Sequence, residues 1–317
     1  LLPLRKGGGA PIVAMPNPFY QCYAAAALAA GAEPLYVPAT EAGGFLPDYA
    51  ALDAAILARI AAVYICSPSN PEGAVADTAY WNRLFELAER YDFIVLADEC
   101  YADIYFEEAP VCALSARLAQ ANGFMRLLTF HSLSKRSGLP GLRSGMVAGC
   151  ANLIEKFRAF RNVAGPTVPG PILAASAAAW RDEAHVAANR ALYRARREAA
   201  IHILGGLPGF RAPDAGFFLW LKTGDGVQTA HRAWAEQGVR VLLTPVDAAA
   251  IDGKPVRVAV SDNPLPVNAA SGLAVSVQGI GPAEWVTQNA PSPSTRPLIF
   301  ELPPQMAPEA ISLRVIS

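Results

Sequence analysis

Six short apolar runs, residues 11–15, 34–37, 62–66, 93–97, 126–130 and 145–149, alternate with stretches of helical spacing. Runs of that length bounded by turn residues read as strands, and strands separated by helices fold into an α/β architecture with a largely parallel sheet. The spacing predicts helices over 20–30, 78–91 and 153–161; in the second, Leu84, Leu87, Ala88 and Tyr91 share one face. A charged stretch at 182–204 predicts a long helix, followed by a strand at 216–222, a helix at 228–237 and strands at 239–243 and 256–260. The expected organisation is a large domain over 1–181, a linking helix over 182–205 and a smaller α+β C-terminal domain over 206–265. Residues 266–317 form a Pro- and Ser-rich tail with little helical periodicity.

Composition narrows the function classes. The chain has 317 residues, 53% hydrophobic and 17% charged, which suits a well-buried globular protein. Lys and Arg number 26 against 27 Asp and Glu, a net charge of −1, and no basic stripe suggests nucleic acid or an anionic membrane. No stretch reads as a membrane span and no signal peptide opens the chain. The five cysteines (Cys22, Cys66, Cys100, Cys112, Cys150) are scattered without a C-x-x-C pair, as expected of reduced core residues in the cytoplasm. The four histidines show no metal-ligand spacing, so no metal is expected.

The polar signatures fall just past predicted strands. Pro16-Asn17-Pro18-Phe19-Tyr20 follows the first, Ser67-Pro68-Ser69-Asn70-Pro71 the third, Asp98 the fourth and Ser132-Leu133-Ser134-Lys135 the fifth. In an open α/β sheet the carboxyl edge is where ligands bind, so four separate loops converge on one pocket. The last loop is the most specific. Its lysine follows small hydroxyl residues, and Arg143 sits eight residues on in a Gly-Leu-Arg-Ser-Gly turn. That suits an amine that attacks an aldehyde while its neighbours hold a phosphate. Partial burial and a nearby arginine are expected to lower the lysine pKa.

Together NPFYQCY, CSPSNPEG, ADECYADIYF and FHSLSKRSGLPGLRSG resemble the class I/II aminotransferases, fold-type-I enzymes dependent on pyridoxal 5'-phosphate (PLP). Within that group they are most similar to the N-succinyldiaminopimelate aminotransferases of lysine biosynthesis. The resemblance covers most of residues 10–260. It implies an aspartate aminotransferase-like fold, a homodimer, and amino-acid and 2-oxo-acid substrates, with glutamate and 2-oxoglutarate as the common pair and N-succinyl-LL-2,6-diaminopimelate as the specific substrate.

The resemblance also implies roles. Lys135 joins the cofactor as a Schiff base and then moves the substrate proton. Asp98 pairs with the pyridine nitrogen; its bland alternative is a helix N-cap. Asn70 and Tyr101 hydrogen-bond the phenolic oxygen, and Tyr20 stacks on the ring. Ser132, Ser134 and Arg143 hold the phosphate, and Arg257, in PVRVAV, clamps the substrate carboxylate; an ordinary edge-strand arginine is its rival.

The chain also departs from the family. Its large domain begins well before the segment matching Leu1, and the Gly-Ser/Thr phosphate turn expected at a helix N-terminus does not precede Pro11. The family's closing helix is replaced after about Val260 by the Pro/Ser-rich tail. An inactive PLP-fold partner and a PLP lyase are therefore the alternatives to a transaminase. A penicillin-binding hydrolase pattern (Ser132 to Lys135, Lys222-Thr223-Gly224, Ser261-Asp262-Asn263) is complete but out of order, and Gly138, Pro140 and Gly141 oppose the helix its first element needs.

Overall fold

The computed structural model describes residues 9–118, 123–165, 168–223 and 226–238, together with strand segments at 242–243, 273–276, 299–300 and 311–312. Strands β1 (Ile12–Asn17), β2 (Glu33–Pro38), β3 (Ile60–Cys66), β4 (Ile94–Asp98), β5 (Leu127–Ser132) and β6 (Gly145–Gly149) form one sheet in the order β2-β1-β3-β4-β5-β6. All neighbours are parallel except β5 and β6, which run antiparallel. The α/β architecture expected from the alternating runs is therefore the one observed.

Helices α1 (Gln21–Ala29), α2 (Ala54–Leu57), α3 (Thr78–Tyr91), α4 (Ala113–Leu118), α5 (Leu133–Arg136), α6 (Ala151–Ala164), α7 (Gly170–Arg181), α8 (Ala184–Leu204) and α9 (Gly226–Gln237) complete the regular elements. Every residue of β1 is buried, and in β3 only Tyr64 is partly exposed. Such unbroken apolar runs mark strands covered on both faces. Alternate side chains serve the two faces: Ile12 and Ala14 join Val63, Ile65 and the α3 residues, whereas Val13 and Met15 join Ala62, Phe19 and Tyr23.

The strongest sequence periodicity is borne out at α3. Asp77 caps it by accepting from the Tyr80 amide at 2.6 Å, and Asp92 ends it in the left-handed region at φ 56°. Its fully buried residues are Trp81, Leu84, Phe85 and Ala88, with Leu87 and Tyr91 only partly buried beside them. Burying each large apolar side chain here contributes about 2 kcal/mol. At the far edge Gly149 lies at φ 139°, where a Cβ would stand 2.0 Å from the Leu127 carbonyl oxygen. Only glycine permits the β5–β6 pair to close that tightly.

A second sheet takes β7 (Phe210–Arg211), β8 (Phe218–Leu221), β9 (Leu242–Leu243) and β10 (Leu273–Ser276) in the antiparallel order β7-β8-β10-β9. β10 belongs to the stretch expected to be a tail, so pairing with β8, not local periodicity, makes it a strand. The strand expected at 256–260 lies outside the described residues. Strands β11 (Ile299–Phe300) and β12 (Ile311–Ser312) form a separate pair. Among the described residues no helix is long and apolar enough to cross a membrane.

Candidate active site

The parallel strands end on one edge, and the loops after β1, β3, β4 and β5 rise from it. Tyr20 is not helical, as the spacing suggested, but caps α1 in an extended conformation (φ −81°, ψ 127°), 42% exposed. The Ser132–Lys135 stretch is likewise not a loop. It is the single turn α5, with Ser132 at its N-cap accepting from the Ser134 amide at 3.1 Å. The cap hydroxyl starts the turn, and Gly138 at φ 63° stops it.

Asp98, the last residue of β4, anchors the centre. Its Oδ1 accepts from the Cys100 amide at 3.1 Å and its Oδ2 from the Tyr23 hydroxyl at 2.5 Å. Burial, then the Asp98 charge, push the Tyr23 phenol pKa well up, so Tyr23 stays a donor. Tyr23 stacks on Tyr64 with centroids 4.2 Å apart and planes 10° from parallel. The Asp98 charge also reaches Tyr20, whose pKa is pushed up to about 12, chiefly by burial.

Asn70 Nδ2 donates to the Tyr101 hydroxyl at 3.2 Å. Tyr101 is buried between Phe217 and Phe218, both with centroids 5.4 Å from its own. Lys135 Nζ lies 5.1 Å from the centroid of Phe217. Burial lowers the Lys135 pKa, opposed by the Cys100 thiol, and that thiol feels Asp98 and Lys135 together. The arginine expected to lower the lysine pKa does not do so: Arg143 is exposed and donates to the Pro140 carbonyl at 2.9 Å, and its charge acts on Tyr20. The Ser132 and Ser134 hydroxyls are 2.9 Å apart. Asn189 on α8 donates to the carbonyls of Lys135 and Arg136 at 3.2 and 3.1 Å, which ties α5 to the long helix.

Tyr20, Asn70, Asp98, Tyr101, Ser132, Ser134, Lys135 and Arg143 thus gather at one edge; Arg257 lies outside the described residues. Sequence reasoning missed Tyr23, Phe217 and Asn189. Only Tyr23 carried a local signal, one helical turn beyond Tyr20.

The Asn70 loop is clamped from the second sheet. Arg211 Nη1 donates to the Glu72 carbonyl at 2.7 Å, and the Gly73 carbonyl accepts from the Asp214 and Ala215 amides, both at 3.1 Å. Gly73 sits at φ 69°, where a Cβ would stand 2.6 Å from that of Pro213. Beside it the Glu72 carboxyl is 2% exposed, and burial raises its pKa to about 8. Between its ordinary value of 4.5 and about 8 the folded chain therefore holds a proton that the unfolded chain has lost. Stability falls as pH rises through that window. Glu72→Gln is expected to flatten this dependence, its melting-temperature advantage over the parent growing up to about pH 8 and then levelling. Parallel melting curves of parent and variant from pH 5 to 9 check it.

The family model for aminotransferase class I and II matches residues 6–268. The chain is 34% identical over 250 residues to the probable aminotransferase Rv1178 of Mycobacterium tuberculosis, covering 78% of this chain and 56% of that protein. It is 32% identical over 225 residues to an LL-diaminopimelate aminotransferase of Dehalococcoides mccartyi, covering 70% of this chain and 57% of that one. Among solved structures, an aminotransferase from Neisseria meningitidis superposes with a TM-score of 0.73 at 37% identity, over 85% of this chain and 66% of that one. The chain thus spans less than two thirds of the length of these relatives.

Proposed function

This chain belongs to the aminotransferase class I and II family, and from that premise we propose that it transfers an amino group between an amino acid and a 2-oxo acid. Enzymes of this class use PLP. The Lys135 amine carries the proposal: burial weakens its hold on a proton, and the Cys100 thiol feels its charge together with that of Asp98. An amine must be unprotonated to attack a carbonyl.

The donors and acceptors present fit PLP. Lys135 would be its covalent anchor, and Asp98 would hold its ring nitrogen. Tyr101, which accepts from Asn70, keeps its own proton for an acceptor such as the phenolic oxygen. Ser132, Ser134 and Arg143 would take the phosphate, and Tyr20 would cover the ring. Bound there, the cofactor supplies an electron sink for the pair left at the substrate α-carbon. Lys135 Nζ would take the proton from that α-carbon and hand it to the cofactor carbon that takes up the amino group, with the reverse transfer returning it. Arg257 would clamp the substrate carboxylate.

The finer assignment is transfer between N-succinyl-LL-2,6-diaminopimelate and the 2-oxoglutarate/glutamate pair, in lysine biosynthesis, by a cytoplasmic homodimer. The motifs of the four loops support it; relatives named LL-diaminopimelate aminotransferases support a diaminopimelate substrate but not its N-succinyl group. A division into a cofactor-binding domain over 1–181, a linking helix over 182–205, a small domain over 206–265 and a tail over 266–317 goes with it. The test is an absorbance spectrum of the chain after loading with PLP and gel filtration. A retained yellow band that bleaches with glutamate and returns with 2-oxoglutarate is the expected result. A colourless protein overturns the proposal.

A further inference from the structure

Asp98 reaches the sheet edge with two partners already in place. Oδ1 accepts from the Cys100 amide and Oδ2 from the Tyr23 hydroxyl, with the Cys100 thiol beside them, and a carboxylate's four acceptor sites leave room for an incoming N–H. The two partners differ in kind. The amide lies two residues along the same chain segment, whereas Tyr23 comes from α1, 75 residues away in sequence. Its ring is buried, stacked flat on Tyr64, and Tyr64 is itself held by the Tyr49 hydroxyl, which donates to its carbonyl at 2.5 Å. The donor is thus fixed from behind by a ring that cannot turn without breaking the stack.

We propose that Tyr23 is a positioning residue: its hydroxyl locks the Asp98 carboxylate and sets how strongly that carboxylate holds a protonated ring nitrogen. This rests on the assignment of Asp98 as the partner of the PLP nitrogen. The O–H dipole points its positive end at the carboxylate, so it offsets part of the negative potential that the ring nitrogen meets. The ionisable groups around the Tyr23 hydroxyl are Asp98 from β4 and Cys66 from β3. Farther out, Tyr20, Tyr64 and Cys100 feel Asp98, while Lys135 acts on Cys100 and Arg143 on Tyr20. Of these, Cys100 also bonds the Asp98 carboxylate through its thiol, a weaker donor than the Tyr23 hydroxyl.

The experiment loads the full chain with PLP and follows the visible band of the bound cofactor against pH. Tyr23→Phe keeps the stack and removes the dipole, so the potential becomes more negative and the midpoint rises by about half a unit. Replacing Tyr23 by 3,5-difluorotyrosine strengthens the donor and keeps the shape, so the midpoint falls. Tyr80→Phe, which loses a hydroxyl that donates to the Pro47 carbonyl and is part of neither the stack nor the Asp98 bonds, keeps the parent midpoint. Opposite movements at position 23 support the proposal, since a purely structural role moves both variants alike. An unmoved midpoint, or movement in one direction only, overturns it while leaving the PLP assignment standing. A parent chain that shows no band overturns both. Should Tyr23→Phe fail to fold, the fluorinated variant decides: a fall supports, no change refutes.

Discussion

Lys135→Ala is expected to keep its fold, to lose the borohydride-fixed attachment of PLP, and to turn over at least about a thousand times more slowly than the parent. The side chain carries no described hydrogen bond or ion pair that holds the fold; its neighbour Arg136, buried against Asp103, Glu183 and Trp180, does that. The loss is therefore chemical. Mass spectrometry of borohydride-treated protein reads it directly: a PLP adduct still confined to one site in Lys135→Ala removes Lys135 from the proposal. The same residue leaves a signature in the unliganded chain. Its folded pKa lies below the ordinary 10.5, so between the two values the unfolded chain binds more protons and stability rises with pH. Lys135→Met is accordingly expected to melt above the parent at neutral pH, with the gap closing toward pH 10.5.

Asp98→Ala is expected to lower turnover by about a hundredfold or more, the scale seen when a preorganised electrostatic partner is removed from a reacting group. The carboxylate joins β4, Tyr23 and Cys100, so the change also leaves the buried Tyr23 hydroxyl without its acceptor, at about 1–3 kcal/mol of stability. Asp98→Asn separates the two effects. It retains an acceptor oxygen for Tyr23 and recovers most of the melting temperature while turnover stays low. Turnover within a few-fold of the parent in Asp98→Ala, measured with glutamate and a 2-oxo acid, is incompatible with a role at the ring nitrogen.

Much of the architecture was legible because its signals are local. The apolar runs at 62–66 and 93–97 became β3 and β4, since a short apolar run and its flanking turn residues need no knowledge of the rest of the chain. Helix α3 was read with its bounds at 78–91 because its apolar stripe lies within that span; the caps Asp77 and Asp92 that flank it were not read. The Ser132–Lys135 stretch was misread as a loop. Gly138 and Pro140 oppose a long helix, but one turn closes before either is reached.

The order of polar groups along the strands, and hence the gathering of Tyr20, Asn70, Asp98, Tyr101, Ser132 and Lys135 on one edge, followed from sequence alone. A parallel sheet puts every carboxyl end on the same side. What meets what was decided only in three dimensions. Tyr23 finds Asp98 because β1 and β4 flank β3. Lys135 faces Phe217, just before β8, while Arg143, near it in sequence, is exposed and acts on Tyr20 rather than on the lysine. The lysine pKa is lowered by burial, as expected, and not by the nearby arginine; how deep that burial goes no short stretch of residues encodes. Desolvation is a property of everything packed around a group, and that is fixed by the whole fold.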